Sequence, residues 1–189
     1  MQKIDIVNLA LAHLGQSSIA SLNEGSEEAA KANAVWEGAL LTTLQAFRWG
    51  FNTKRARLAL QEEEPEGYTY QYRYAAPSGM LQPYERVRAL DVGEVIPYLF
   101  EGGSIYTNEP EAVLGYAARE ERVSQFSPSF QDALGWRLAG DMAMALTQRP
   151  DMAKLAEEMY QKAISNARAL AGMARRGTKR TPRYIQARG

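Results

Sequence analysis

An α+β fold, mainly α, is predicted: a helical bundle with an inserted small antiparallel β-sheet, ending in an extended basic C-terminal tail. Three observations predict it. Apolar residues recur at the helical period up to about residue 49 and again from Ser127. Between Phe51 and Arg119 the period falls to two, as in strands. From Arg175 onward the apolar period is lost and positive charge accumulates.

The elements follow in order. Ile4, Val7, Leu11 and Leu14 place a short helix over about 4–14, and Gly15 stands where a helix C-cap is expected. Ser26 is an N-cap for a second helix, about 27–49, with Glu27 and Glu28 in its favourable first turn. Ala29, Ala32, Trp36, Leu40, Leu44 and Phe47 form its apolar stripe. The β-rich insertion spans about 51–119. "FNTKRARLAL" is expected as a strand and "QEEEPEG" as a loop, with "ERVRALDV" and "EAVLGYAAR" as further strands. "PYLFEGGSIYTN" reads as a hairpin around Gly102-Gly103, a pair that tolerates the positive φ of a type I′ turn. Ser127-Pro128 starts a helix over about 128–147, with Phe130, Leu134, Leu138, Met142 and Ala145 as its face. Asp151 caps a last helix, about 152–173, whose expected face is Met152, Leu155, Met159, Ala163, Ala167 and Leu170. These two should pack as an antiparallel hairpin. Residues 1–174 are thus read as a single domain and 175–189 as a separate arm.

"YTYQYRY" places Tyr68, Tyr70, Tyr72 and Tyr74 at every second position, which on a strand puts four rings on one face. Such a row covers a small core or pairs across strands. The alternative is a stacking platform for single-stranded nucleic acid. The loop "EEEPEG" before it would repel phosphate, and "NTKRAR" and the tail are the cations available to a nucleic-acid-binding module.

Composition bounds the chemistry. The 189 residues are 46% hydrophobic and 23% charged, ordinary for a globular domain. There is no cysteine, hence no disulfide or thiolate metal site. No apolar run approaches a membrane span and no signal-peptide pattern opens the chain, so a cytoplasmic place of assembly is expected, without a membrane anchor. The net charge of zero hides a gradient. Six basic residues from Arg175 onward leave 16 against 22 acidic ones in the rest, about −6. His13, the single histidine, stands among leucines and reads as structural. The adjacent pairs Glu27-Glu28, Glu62-Glu63-Glu64, Glu120-Glu121 and Glu157-Glu158 read as solvated faces, because neighbours in sequence do not converge on one face. Phosphate-cradling and nucleophile-elbow motifs are absent. No catalytic, cofactor-binding or metal residue is assigned, and no enzyme is expected.

Several segments in sequence order resemble a family. They are "NLALAHLGQSSIASLNEGSEEA", then Ala34-Val35-Trp36 through Leu44 and Phe47 to Trp49, Gly50 and Phe51, then "YRYAAPSGMLQPYERV" and "EGGSIYTNEP". Phe126 to Ala139 and "YQKAISNARALAGM" complete the pattern. Together, over about residues 4–174, they resemble the head-to-tail adaptors (tail tubular protein A-like connectors) of tailed bacteriophages. The resemblance implies a helical bundle with a β-rich insertion. It also implies a homo-oligomeric ring, a dodecamer, beneath the portal protein in the neck of the virion, assembled in the host bacterial cytoplasm. The ring would dock the downstream neck, tail or nozzle protein and pass DNA without sequence-specific binding or catalysis. On that reading Arg175, Arg176, Lys179, Arg180, Arg183, Tyr184 and Ile185 bind the portal, since "PRYIQ" can pair as a strand at a protein edge. A neighbouring adaptor and DNA are the other partners open to the tail. Trp136 lies off its helix's main stripe, beside Ala133 and Gly140, and is assigned to a subunit interface.

Overall fold

A computed structural model describes residues 1–83, 87–89 and 95–176, with side chains described for 1–83 and 96–171. Among the described residues the chain forms four α-helices and nine β-strands, the mainly helical α+β class expected. Contacts divide it into two compact units: residues 1–39 with the chain from Ser127 onward, and Leu40–Phe126. The sequence reading draws a single domain over the same residues.

The first unit is helical. α1 (Lys3–His13) starts where the Asp5 carboxylate accepts the Gln2 backbone N–H at 2.6 Å. It ends in a Schellman motif: Gly15 takes φ 69°, its N–H donates to Ala12 O, and the Gln16 N–H donates to Leu11 O at 2.9 Å. The loop after it is tied back by Asn8, whose side chain donates to Ile19 O at 3.0 Å and accepts the Ile19 N–H at 2.9 Å. The Glu24 carboxylate accepts from Ala20, Ser21 and Ser26 and closes the same loop. α2 (Glu27–Ala46) opens with Ser26 Oγ accepting the Ala29 N–H, as its N-cap sequence predicts. α3 (Pro128–Thr147) is capped by Ser127, which accepts the Phe130 N–H, and α4 (Pro150–Arg176) packs back against it.

Three features of α4 differ from expectation. It starts at Pro150 because proline, lacking an N–H, suits the first helical turn. Its buried face is Ala156, Tyr160, Ala163, Ile164 and Ala167, while the expected face members Leu155 and Leu170 are 45% and 59% exposed. These five recur at i, i+4, i+7, i+8 and i+11, one continuous helical face, and its alanines let α4 come close to α3: a Cβ at Gly140 would lie 3.7 Å from that of Ala156. α4 also runs on to Arg176, so Arg175 and Arg176 belong to the helix rather than to an arm starting at 175. Cations in a last turn are favoured by the helix dipole.

The second unit starts within α2. That helix stops at Ala46 rather than about 49, because Trp49 has turned extended and its indole N–H donates to Thr43 O at 2.8 Å, satisfying a terminal carbonyl. The described strands form two antiparallel sheets where one was expected. In the first, β9 (Ala112–Ala118) pairs with β1 (Thr53–Arg57) on one side, and with β4 (Met80–Pro83) and β5 (Val87–Ala89) along the other. β6 (Val95–Ile96) continues from β5. In the second the order is β2 (Ala59–Glu63), β3 (Tyr72–Ala75), β8 (Ser104–Thr107) and β7 (Leu99–Glu101). Gly102 and Gly103 have φ 54° and 73°, the type I′ turn expected between β7 and β8. Leu58, Tyr74, Ile105, Ala112, Leu114, Tyr116 and Ala118 are the buried apolar cluster of this unit. The expected strand "ERVRALDV" contains β5, and its residues 85, 86 and 90–92 lie outside the described ones.

Candidate assembly surfaces

The second sheet carries the tyrosine row, and it is not the continuous strand expected. Glu62 and Glu63, expected in a loop, belong to β2. Glu64 (φ 50°) and Gly67 (φ 82°) then turn the chain, so β3 begins only at Tyr72. Gln71 explains the late start, because its N–H donates to Asn108 Oδ1 and its carbonyl accepts the Glu64 N–H. The tyrosines therefore separate. Tyr74 is buried opposite Ile105 and donates its hydroxyl to Glu109 O at 2.6 Å. Burial pushes its phenol up to about 12. Tyr68 instead lies flat on Tyr106, rings 4.0 Å apart and 12° from parallel, and donates its hydroxyl to Glu101 at 3.0 Å. Arg73 stands 5.9 Å from the same Tyr106 ring, donates to Ser104 Oγ at 3.2 Å, and pairs with Glu62 across the strands. Tyr74 and Tyr68 thus pack within the sheet.

What this sheet leaves open is its rims. Leu99 and Phe100 on β7 are 38% and 41% exposed, and Leu60 on β2 is 47% exposed. Both strands are ends of the sheet. Sequence reasoning missed these positions, although an apolar pair beside a two-residue turn was a usable signal. Unpaired strand edges with exposed apolar residues recruit other chains.

The helical unit offers a second surface. Trp136 is half-buried, and its ring stacks on His13 with centroids 3.5 Å apart and planes 6° from parallel. Part of its area is thus spent within the chain, at the end of α1. Gly135 lets α1 approach α3, since a Cβ there would sit 3.0 Å from a Leu9 methyl. His13 Nε2 is buried without a hydrogen-bond partner, and burial lowers the imidazole pKa against the opposing pull of Asp132. Within α3 Arg137 pairs with Asp141 at 2.8 Å, and across the hairpin it approaches Glu157 of α4 at 3.7 Å. Burial nonetheless raises the Asp141 pKa. Exposed on this hairpin are Met144, Leu155 and Leu170.

Of the residues assigned to the portal, Arg175 and Arg176 end α4, while Lys179, Arg180, Arg183, Tyr184 and Ile185 lie outside the described residues. Glu120 departs from the solvated face expected of it. It is buried, and its carboxylate takes two hydrogen bonds at 2.8 Å from the Arg122 guanidinium, which hold its pKa at about 2. Among the described residues, no three His, Asp or Glu side chains gather to hold a metal ion. No described helix is long and apolar enough to cross a membrane. No protein-family model matches the chain, and no curated protein matches it.

Proposed function

We propose that this chain is a structural head-to-tail adaptor of a tailed phage. Copies would form a ring, a dodecamer, beneath the portal, extend the DNA channel and dock the next neck or tail protein. One observation carries the reading: the motifs behind the resemblance occupy the joints of the fold. The Trp-Gly-Phe motif is where α2 is stopped by the Trp49 indole. "IYTNEP" runs from β8 into the turn whose Glu109 carbonyl takes the Tyr74 hydroxyl. The Leu-Gly end of the first motif is the Schellman turn at Gly15. Residues that set a fold's geometry are those a shared assembly role would preserve. Exposed apolar side chains on β7 and on the α3–α4 hairpin supply the surface such assembly needs.

The test mixes the full chain with portal rings of the same phage and follows co-sedimentation and negative-stain images. A stoichiometric ring added to one face of the portal is expected. No portal association, together with tight DNA binding that weakens steeply with salt, would replace the adaptor by a nucleic-acid-binding module.

A further inference from the structure

The tail and one edge of the second sheet match each other in charge, length and strand propensity. β2 pairs with β3 and, among the described residues, with no other strand. All five of its residues are exposed, including Leu60. An edge of this kind is a template for a further strand unless charge or a bulge blunts it. β2 has both devices: its register shifts between Leu60 and Glu62, and its charge is all of one sign. From Ala59 to Gln71 the chain carries Glu62, Glu63, Glu64 and Glu66 and no basic residue. Acids that keep two such edges apart also select a basic strand over an acidic one.

The other edges among the described residues do not fit a basic strand: β4 (Met80–Pro83) carries no acid and ends in proline. β1 carries Lys54, Arg55 and Arg57. β7 is three residues long, and its one acid, Glu101, already accepts the Tyr68 hydroxyl. β6 has two residues. Residues 177–189 hold Lys179, Arg180, Arg183 and Arg188 without an acid. At about 3.3 Å per residue they reach on the order of 40 Å, against roughly 17 Å for a five-residue strand. Pro182 stands just before Arg183–Ala187, where its missing N–H removes no ladder bond.

We propose that Arg183–Ala187 of one copy adds as a strand to the β2 edge of a second copy, with Ile185 covering Leu60 and the tail's cations meeting Glu63, Glu64 and Glu66. Sequence alone matches the tail to the portal; the acidic edge offers a partner on a copy of the chain itself. The proposal rests on the ring reading only for a second copy being at hand.

Lys179 is the tail's single lysine, so among the tail's cations it alone can form a carbodiimide crosslink, which peptide mapping distinguishes from those of the other lysines. Full chain and ¹⁵N-labelled full chain are mixed, assembled and coupled. The expected product joins Lys179 to the Glu62–Glu66 segment in mixed-isotope pairs, which only two copies can form. Ile185→Pro keeps every charge and breaks the ladder, and it should lower the yield at least tenfold. So should Glu63→Lys with Glu64→Lys, or about 0.5 M salt. Circular dichroism checks the fold of each variant, and Ile185→Pro lies outside the folded elements described. Coupling within one copy only, coupling to the portal alone, or a yield indifferent to Ile185→Pro would overturn the proposal. Mixed-isotope coupling without portal binding would reject the adaptor reading and keep this one; the reverse would reject this one alone.

Discussion

His13 and Trp136 meet ring on ring at 3.5 Å, so one pair reports on how α1 and α3 hold together. Burial lowers the imidazole pKa below its ordinary 6.5, which means that the folded state favours the neutral ring. The unfolded chain then takes up a proton at a higher pH than the folded one. Stability is complete above about pH 6.5 and falls as pH drops through that value toward the lower folded pKa. Thermal midpoints measured from about pH 7.5 to about 5 should therefore decline, and His13→Phe should flatten that part of the decline while keeping the stack. A decline that persists unchanged in His13→Phe would assign it to other groups. Trp136→Ala should cost about 2 kcal/mol, below the 3–5 of a fully buried tryptophan because the ring is half-buried. Urea unfolding followed by circular dichroism measures it, and outright unfolding of the monomer would show the ring to be core rather than interface. Glu120 acts in the same direction at lower pH. Its pKa of about 2 supplies stability above the ordinary 4.5 that is lost as pH falls toward 2, and Glu120→Gln should remove that acid limb.

Among elements, the β7–β8 turn and α2 place opposite demands on glycine. Gly103 sits at φ 73° in the type I′ turn, a conformation that costs an L side chain about 1–2 kcal/mol. Gly103→Val should lose about that much. Gly38 lies in the middle of α2 at ordinary helical φ with open space where a Cβ would go, so Gly38→Ala should gain about 0.5–1 kcal/mol. Denaturant midpoints of the two variants should shift in opposite directions, and a shared direction would contradict the turn assignment. At the end of α2, Trp49→Phe keeps the ring and removes the N–H that stops the helix at Thr43 O. A loss of about 1 kcal/mol is expected from that hydrogen bond, read from the same unfolding curves.

For the whole molecule, the proposed assembly role is tested at the exposed apolar surfaces. Leu99→Ser with Phe100→Ser changes exposed side chains on an edge strand, so the isolated chain should stay within about 0.5 kcal/mol of the parent. If that edge is an assembly contact, association with portal rings should weaken at least tenfold in sedimentation titrations. An unchanged affinity would move the contact to the α3–α4 hairpin, where Met144, Leu155 and Leu170 are exposed.

The sequence by itself determined what local chemistry decides. Ser26 and Ser127 cap α2 and α3, Gly15 closes α1, and Gly102-Gly103 turns the β7–β8 hairpin, because a cap or turn is settled by a few adjacent residues. The change of period from helix to strand and back set the class and placed the insertion. Only the tertiary structure decided what distant residues impose. The buried stripe of α4 is shifted to Ala156, Tyr160 and Ile164 because close packing against α3, with Gly140 beside Ala156, chooses the face that fits rather than the one richest in leucine and methionine. Tyr68 leaves the tyrosine row because Asn108, far along the chain, takes the Gln71 N–H that a strand would have paired. Asn8, an interruption in an apolar pattern, became the clamp on Ile19. Glu62 and Glu63 became part of a sheet edge because β3 pairs with them across a turn that period alone cannot place.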